Sequence, residues 1–317
     1  MPLPKVTVIG AGQVGATVAH LTALKGLADV TLIDIVEGLA AGKALDMMQS
    51  SPVEGFPGRV TGTTDFNALA DSRLIVITAG LARKPGMSRD DLLAANANIV
   101  GPIAERIRKL ASQAIVIVVT NPLDVMVAHT LQRTGFPSNQ VMGMAGVLDS
   151  ARLRAFIAMR LNTSSSDVQA MILGSHGDLM VAIRSSIKVK GKPLEELLPA
   201  SEANQLINRA KNGGAEIVSL LKTGSAFYAP ASGVVEMVSA ILGNSHAVLP
   251  VCARLDGEYG LREVCIGVPA QLGSRGIEKI IEIPLSAEEK AALTAAAAAV
   301  KDMAKILNTL QQPAGRA

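Results

Sequence analysis

The run Lys5-Val6-Thr7-Val8-Ile9, apolar and β-branched, passes directly into Gly10-Ala11-Gly12-Gln13-Val14-Gly15 and then into Ala16 to Leu21, a stretch of helical propensity. Strand, glycine turn and helix in this order suit an anionic ligand. Gly10 permits the tight turn, Gly12 lets backbone approach a pyrophosphate, and Gly15 lets the helix lie close on the strand with its N-terminus toward phosphate. Such a motif is weak alone. Here the next strand pattern, Asp29 to Asp34, ends in an acid 24 residues after Gly10, where a carboxylate can accept hydrogen bonds from both adenosine ribose hydroxyls. No arginine follows Asp34 immediately, so a 2′-phosphate would be repelled, and NAD is expected rather than NADP.

Two more continuous apolar runs, Leu74 to Ile77 and Ile115 to Val119, are separated by helical stretches. Strands buried on both faces predict a parallel sheet covered by helices, an α/β fold. The first run ends in Thr78-Ala79-Gly80 and the second in Thr120-Asn121-Pro122, at the strand ends where open α/β sheets take their ligands. Asn121 reads either as a contact to cofactor or substrate or as a plain turn former. Between the runs, residues 81–91 hold Arg83, Lys84 and Arg89 around Pro85-Gly86. That pattern is a loop, followed by a helix with Ser88 as N-cap and Asp91 at the capping-box position. A hinged loop can carry positive charge onto a bound anion; most charged loops are merely solvated.

A proton donor is expected in the second half. Of four histidines (His20, His129, His176 and His246), His176 follows a short apolar run and sits in Leu173-Gly174-Ser175-His176-Gly177-Asp178, where a strand runs out into a glycine-flanked turn. With no Trp, two Tyr and two Cys in 317 residues, few other side chains can exchange a proton near neutral pH. Asp149 and Arg152 lie three apart where a helix leads to Leu161. They form either a surface ion pair or, in a functional reading, an orienting carboxylate for His176 and a guanidinium that grips a substrate carboxylate.

From Asn162 onward, alternating stretches at Val181 to Ile183 and Ser186 to Val189, with a Lys190-Gly191-Lys192 turn, predict antiparallel hairpins. Helices follow over Ser201 to Lys222 and near Gly233 to Leu242, and strands near Val248 to Leu255, Val264 to Pro269 and Ile277 to Ile283. A long Ala-rich helix opens at Ser286 with Glu289 in a capping box and ends about Leu310. Residues 311–317 are expected to fray, and the two lobes to share a wide interface.

The formal charge of +3 is spread without Lys/Arg blocks, which argues against nucleic acid or a membrane surface as partner and is compatible with a small anion. Cys252 and Cys265 are too few for a disulfide framework and not spaced as metal ligands, so buried thiols in a reducing compartment and no metal are expected. With the first strand pattern beginning at Pro4, no leader is expected and the cytoplasm is the expected location.

In combination, the chain resembles the lactate/malate dehydrogenase family along essentially its whole length, most closely the bacterial lactate-dehydrogenase-like branch. The resemblance rests on Val8 to Gly15, Asp34 to Gly38, Gly42 to Asp46, Arg83 to Arg89, Thr120 to Asp124, Leu148 to Arg152, Gly174 to Asp178 and Gly224 to Ala226. It implies an N-terminal Rossmann doubly wound parallel sheet (residues 1–145) and a C-terminal α+β substrate domain (146–317). It implies hydride transfer between NAD and a 2-hydroxy acid, with His176 as acid/base, Asp149 orienting it, Arg152 anchoring the carboxylate, Arg89 polarising the reacting carbonyl and Asn121 bonding near that oxygen. The cofactor contacts it implies are Gly10, Gly12, Gln13, Val14, Gly15, Asp34, Thr78, Ala79, Gly80, Asn96, Val119 and Asn121; Ser225 and Ala226 would line the pocket. Arg83 stands where the family meets the substrate's distal group, and a cation there suits a second carboxylate, as in malate and oxaloacetate. Relatives carry a glycine or an acid before the histidine, whereas this chain has Ser175. The resemblance also implies a homo-oligomer, a dimer or a tetramer, with the tetramer favoured. Two other readings stay open: a dehydrogenase for lactate or another 2-hydroxy acid, and a non-catalytic NAD-binding sensor.

Overall fold

A computed structural model describes residues 2–82 and 86–311. The first half alternates strand and helix: β1 (Lys5–Ile9), α1 (Gln13–Leu24), β2 (Asp29–Ile33), α2 (Leu39–Glu54), β3 (Val60–Thr63), β4 (Leu74–Ile77), α3 (Arg89–Leu110), β5 (Ile115–Val118), α4 (Leu123–Thr134) and β6 (Val141–Gly143). All six strands are parallel, in the order β3-β2-β1-β4-β5-β6. The order reverses between β1 and β4, so a crevice opens beyond their carboxyl ends. Every residue of β4 and of β5 is buried, as a strand covered on both faces requires, and each such side chain contributes about 1.5 to 3 kcal/mol of burial.

The second half holds α5 (Gly146–Leu161), β7 (Val168–Gln169), β8 (Ile172–Gly174), β9 (Met180–Ala182), β10 (Lys188–Val189), β11 (Lys192–Pro193), α6 (Ala200–Leu221), α7 (Tyr228–Leu242), β12 (Ala247–Asp256), β13 (Arg262–Gly273), β14 (Gly276–Ile280) and α8 (Ala287–Leu310). Its antiparallel strands continue the first sheet: β6 meets β12 at the pair Gly143 and Cys252, and the order runs on through β13, β8 and β9. One sheet therefore spans both halves, and β8 carries its end toward the cleft of the first.

Several expected elements differ in detail. The stretches at Val181 and Ser186 both pair antiparallel, as expected, β9 with β8 and β10 with β7 and β11, but β10 is shorter than the stretch expected, covering only Lys188–Val189. The Lys190-Gly191 turn joins β10 to β11, both residues at positive φ (+50° and +81°), the conformation that matches hairpin twist. Helix α7 begins five residues before Gly233, because Pro230 falls in its first turn, where a missing N–H costs nothing. Strand β14 stops at Ile280: the Ile281 amide still donates to Pro269, but the Ile283 amide donates to the Tyr259 hydroxyl instead. The capping boxes at Ser88 with Asp91 and Ser286 with Glu289 are both formed. Fraying after Gln311 concerns residues outside those described. Among the described residues, no helix is long and apolar enough to cross a membrane.

Candidate active site

The glycine turn joins β1 to α1 as the spacing predicts. Gly10 has φ +104°, and a Cβ there would stand 2.7 Å from the Ala79 amide nitrogen and the Thr78 hydroxyl. A Cβ on Gly15 would stand 1.9 Å from the Gly10 carbonyl oxygen, so the helix can sit this close only without a side chain. Gly12 is the contrast: a Cβ there would meet nothing within 4 Å. It faces open space at the N-terminus of α1, where Gln13 and Val14 begin the helix. This is a cradle for a pyrophosphate, with amides and the helix dipole favouring negative charge.

Asp34, just past β2, already braces this turn. Its Oδ2 accepts from the Ala11 amide at 2.6 Å and its Oδ1 from the Val36 amide at 3.0 Å, leaving lone pairs toward the cleft. Gly10, Gly12, Asp34, Thr78, Ala79 and Gly80 share a cleft of about 520 Å³ with the apolar Ile99 and Ile103. A lining of backbone-rich glycines and an acid together with aliphatic residues suits a dinucleotide's phosphates and its adenine ring. Asn96 is fully buried; its Oδ1 accepts from the Leu81 amide at 2.7 Å, and its Nδ2 donates to the carbonyls of Leu81 (3.1 Å) and Asn121 (2.6 Å). It thereby ties the segment after β4 to the segment after β5. The Val119 amide donates to Ile77, and the Asn121 side chain is exposed at the end of that second segment.

The histidine expected to exchange a proton is placed where β8 ends. Gly174 (φ +88°) and Gly177 (φ +116°) turn the chain around Ser175 and His176. His176 Nδ1 lies 3.0 Å from Asp149 Oδ2, with the two side chains 17% and 2% exposed. A carboxylate only accepts, so Nδ1 carries the proton and Nε2 is left for a ligand. Burial would lower the pKa of His176, but the Asp149 carboxylate, by charge and by hydrogen bond, and then Asp124 outweigh it, and the pKa stands above its ordinary value.

Helix α5 begins at Gly146, three residues before Asp149, so Asp149 and Arg152 share one face. Arg152 Nη1 is 3.8 Å from Asp149 Oδ1, yet its Nε is buried without a hydrogen-bond partner. Burial lowers the guanidinium's pKa against the pull of Asp149. A buried cation with a donor to spare is a site for an anion.

Arg89 opens α3 and pairs with Asp178 at 3.3 Å, both mostly exposed (73% and 81%), two residues from His176. Arg83 lies outside the described residues. Ser225 and Ala226 lie between α6 and α7, exposed and half-buried. The other histidines stand elsewhere: His129 is buried in α4 against Gly101 of α3, and His246 pairs with Glu278 at 2.7 Å.

Sequence reasoning passed over two groups. Gly213 in α6 packs against Arg152, where a Cβ would stand 3.1 Å from the arginine Cδ; the signal was a Gly213-Gly214 pair inside a helical pattern, costly unless something needs the room. Asp124 accepts from the Ser175 hydroxyl at 2.6 Å and the His176 amide at 3.2 Å; the signal was a lone acid in the apolar run Leu123 to Ala128 that opens α4.

Two family descriptions match in sequence: the lactate/malate dehydrogenase NAD binding domain over residues 4–143 and the lactate/malate dehydrogenase alpha/beta C-terminal domain over residues 146–309. The chain is 52% identical over 297 residues to a malate dehydrogenase of Synechocystis, covering 94% of this chain and 92% of that one. To a malate dehydrogenase of Desulforudis audaxviator it is 49% identical over 304 residues, covering 96% and 98%. Among solved structures, the malate dehydrogenase of Salinibacter ruber superposes with a TM-score of 0.93 at 47% identity, over 97% of this chain and 98% of that one. Matching along both halves, and at about half of all positions, the chain belongs to the lactate/malate dehydrogenase family.

Proposed function

We propose that this protein is an NAD-dependent malate dehydrogenase, moving a hydride reversibly between (S)-malate and oxaloacetate, with the cofactor in residues 1–145 and the substrate held by residues 146–317. The observation that carries the reading is the His176 and Asp149 pair at 3.0 Å beside the underpartnered guanidinium of Arg152. Relatives about 50% identical that bear this activity support the choice of acid.

Bound NADH supplies the hydride. As the hydride reaches the carbonyl carbon, negative charge grows on the carbonyl oxygen, and His176 hands that oxygen the proton on Nε2. Asp149 fixes the tautomer and stabilises the imidazolium; in the reverse direction the neutral imidazole takes the proton back. Arg152 grips the carboxylate next to the reacting carbon, fixing the distance to Nε2. Arg89, across the mouth of the site, brings a second positive charge to the oxygen, a kind of contribution typically worth about 3 kcal/mol. Asn121 donates to the same oxygen, and Arg83 meets the second carboxylate. Gly10, Gly12, Gln13, Val14 and Gly15 carry the pyrophosphate, Asp34 the ribose hydroxyls, and Thr78, Ala79, Gly80, Asn96 and Val119 the floor of the cofactor cleft.

The direct test is NADH oxidation with oxaloacetate and pyruvate side by side. Faster turnover of pyruvate would replace malate by lactate as the substrate; no turnover of either, with NADH still bound, would leave a cofactor sensor. Arg152→Gln is expected to raise the KM for oxaloacetate about 10²-fold, since it removes one partner of a desolvated ion pair. A KM within a few-fold of wild type would remove Arg152 from the substrate.

The reading extends to a cytoplasmic enzyme serving the tricarboxylic acid cycle and assembled as a homotetramer. Exposed apolar side chains at Leu45 and Val53 of α2, and at Val218, Leu220 and Leu221 of α6, support self-association. Light scattering is expected to give four times the chain mass of 32.8 kDa; a monomer at micromolar concentration would refute this.

A further inference from the structure

The turn that carries His176 is held by more than its own glycines. Asp124 stands in the first turn of α4, 4% exposed, and its Oδ2 accepts both the Ser175 hydroxyl at 2.6 Å and the His176 amide at 3.2 Å. One oxygen thus fixes the residue before the histidine and the histidine's own backbone. Asp149 holds the ring from the other side through Nδ1. Two buried carboxylates, one on α4 and one on α5, bracket a single imidazole.

The surroundings leave Asp124 with little else to act on. Among the described residues, no Lys or Arg forms an ion pair with it. Behind it lie the thiols of Cys252 on β12 and Cys265 on β13, both raised, first by burial and next by the Asp124 charge, Cys265 to about 12. Neither thiol carries a charge to offset the carboxylate, though the Cys252 thiol hydrogen-bonds it. The groups facing His176 are Asp149, Asp124 and Arg152, and only Arg152 opposes its protonation. Burial leaves the Asp124 pKa above its ordinary value, against the Ser175 hydroxyl, its strongest opposing contact, and then the Cys252 thiol, both of which pull it down. The helix N-terminus also favours the anion.

We propose that Asp124 and Ser175 are a positioning pair for His176: the ionised Asp124 carboxylate clamps the backbone of the histidine turn and favours the imidazolium from behind, and the Ser175 hydroxyl keeps that carboxylate charged and in place. Neither residue touches the substrate. Both act through His176, so the pair rests on that histidine being the acid/base of the proposed reaction.

The test is an NMR titration of histidine-labelled protein, reading the His176 ring in wild type, Asp124→Asn, Ser175→Ala and Asp149→Asn, with the signal assigned by His176→Asn. The His176 pKa is expected to fall in all three other variants, most in Asp149→Asn, by roughly half a unit or more in Asp124→Asn, and by less in Ser175→Ala. In Asp124→Asn and Ser175→Ala the alkaline limb of kcat for oxaloacetate reduction moves down with it, while KM stays near wild type because neither residue touches Arg152; Asp149→Asn also removes the ion-pair partner of Arg152 and serves only as the titration reference. A folded Asp124→Asn protein whose His176 titrates as in wild type overturns the proposal and makes Asp124 a neutral packing group. If Asp124→Asn does not fold, Ser175→Ala decides: a lowered pKa upholds the pair, and an unmoved one overturns it. The titration needs no substrate, so failure of the oxaloacetate assay in wild type would strike the proposed function without deciding this point.

Discussion

His176→Asn is expected to lower kcat for oxaloacetate reduction by about 10³-fold, with little change in KM. Asparagine keeps a donor for Asp149, so the carboxylate, 2% exposed, is not left without a hydrogen bond, an omission that costs about 1 to 3 kcal/mol. What the substitution removes is the transferable proton, and without it the growing alkoxide must take a proton from water, which is not positioned for the transfer. In the proposed arrangement Arg152 still binds the substrate, so KM is expected to hold. The wild-type pH profile belongs to the same expectation. Reduction by the proposed route needs the imidazolium, and the His176 pKa stands above its ordinary value, so the rate of reduction falls as pH rises through that raised pKa; malate oxidation climbs over the same interval. Stopped-flow measurement of NADH consumption, with a melting curve to show that the variant folds, checks both. A variant within tenfold of wild type, or a wild-type limb already falling well below pH 6.5, would take the proton from some other group.

That His176 could be picked out before any coordinates follows from chemistry concentrated in few residues. A strand that ends in glycine, histidine and glycine advertises a turn at a sheet edge, and β8 delivers that turn. The glycine turn after β1 was legible for a similar reason, since the Gly10 and Gly15 positions tolerate no Cβ. The pairing of Asp149 with His176 was not legible from spacing. The two are 27 residues apart, and an acid and an arginine three apart on a helix look the same on a surface as in a pocket. Only the continuation of the first sheet through β12 and β13 to β8 brings them together, and β6 touches β12 at a single residue pair, too short a signal to read from a pattern. Asp124 escaped because its partners are a backbone amide and a serine hydroxyl, which no periodicity marks. The hairpin partners were not legible for a related cause, since strands of two or three residues carry almost no alternation; the Lys190-Gly191 turn was legible, and it joins β10 to β11 in an antiparallel hairpin.

Arg83→Gln is expected to reverse the choice between oxaloacetate and pyruvate, lowering the ratio of their kcat/KM values by roughly 10³-fold. Arg83 is two residues beyond Leu81, whose amide and carbonyl are both held by Asn96, and six before Arg89 at the start of α3. If Arg152 holds the carboxylate beside the reacting carbon, as proposed, a dicarboxylate needs one more cation at its far end, and the family resemblance assigns Arg83 to it. Oxaloacetate gives the guanidinium a planar, charged partner, so desolvation is offset by a two-pronged hydrogen bond. Pyruvate offers a methyl group there, and a cation shut against it loses water and gains nothing, a penalty of several kcal/mol. Glutamine reverses both signs: the amide cannot neutralise the second carboxylate and costs far less to set beside a methyl. The change therefore shows in kcat/KM for both substrates in opposite directions, whereas damage to the loop alone would depress both together. Initial rates with the two substrates, in wild type and variant, separate these outcomes. An unchanged ratio would mean that the second carboxylate is recognised by a residue other than Arg83.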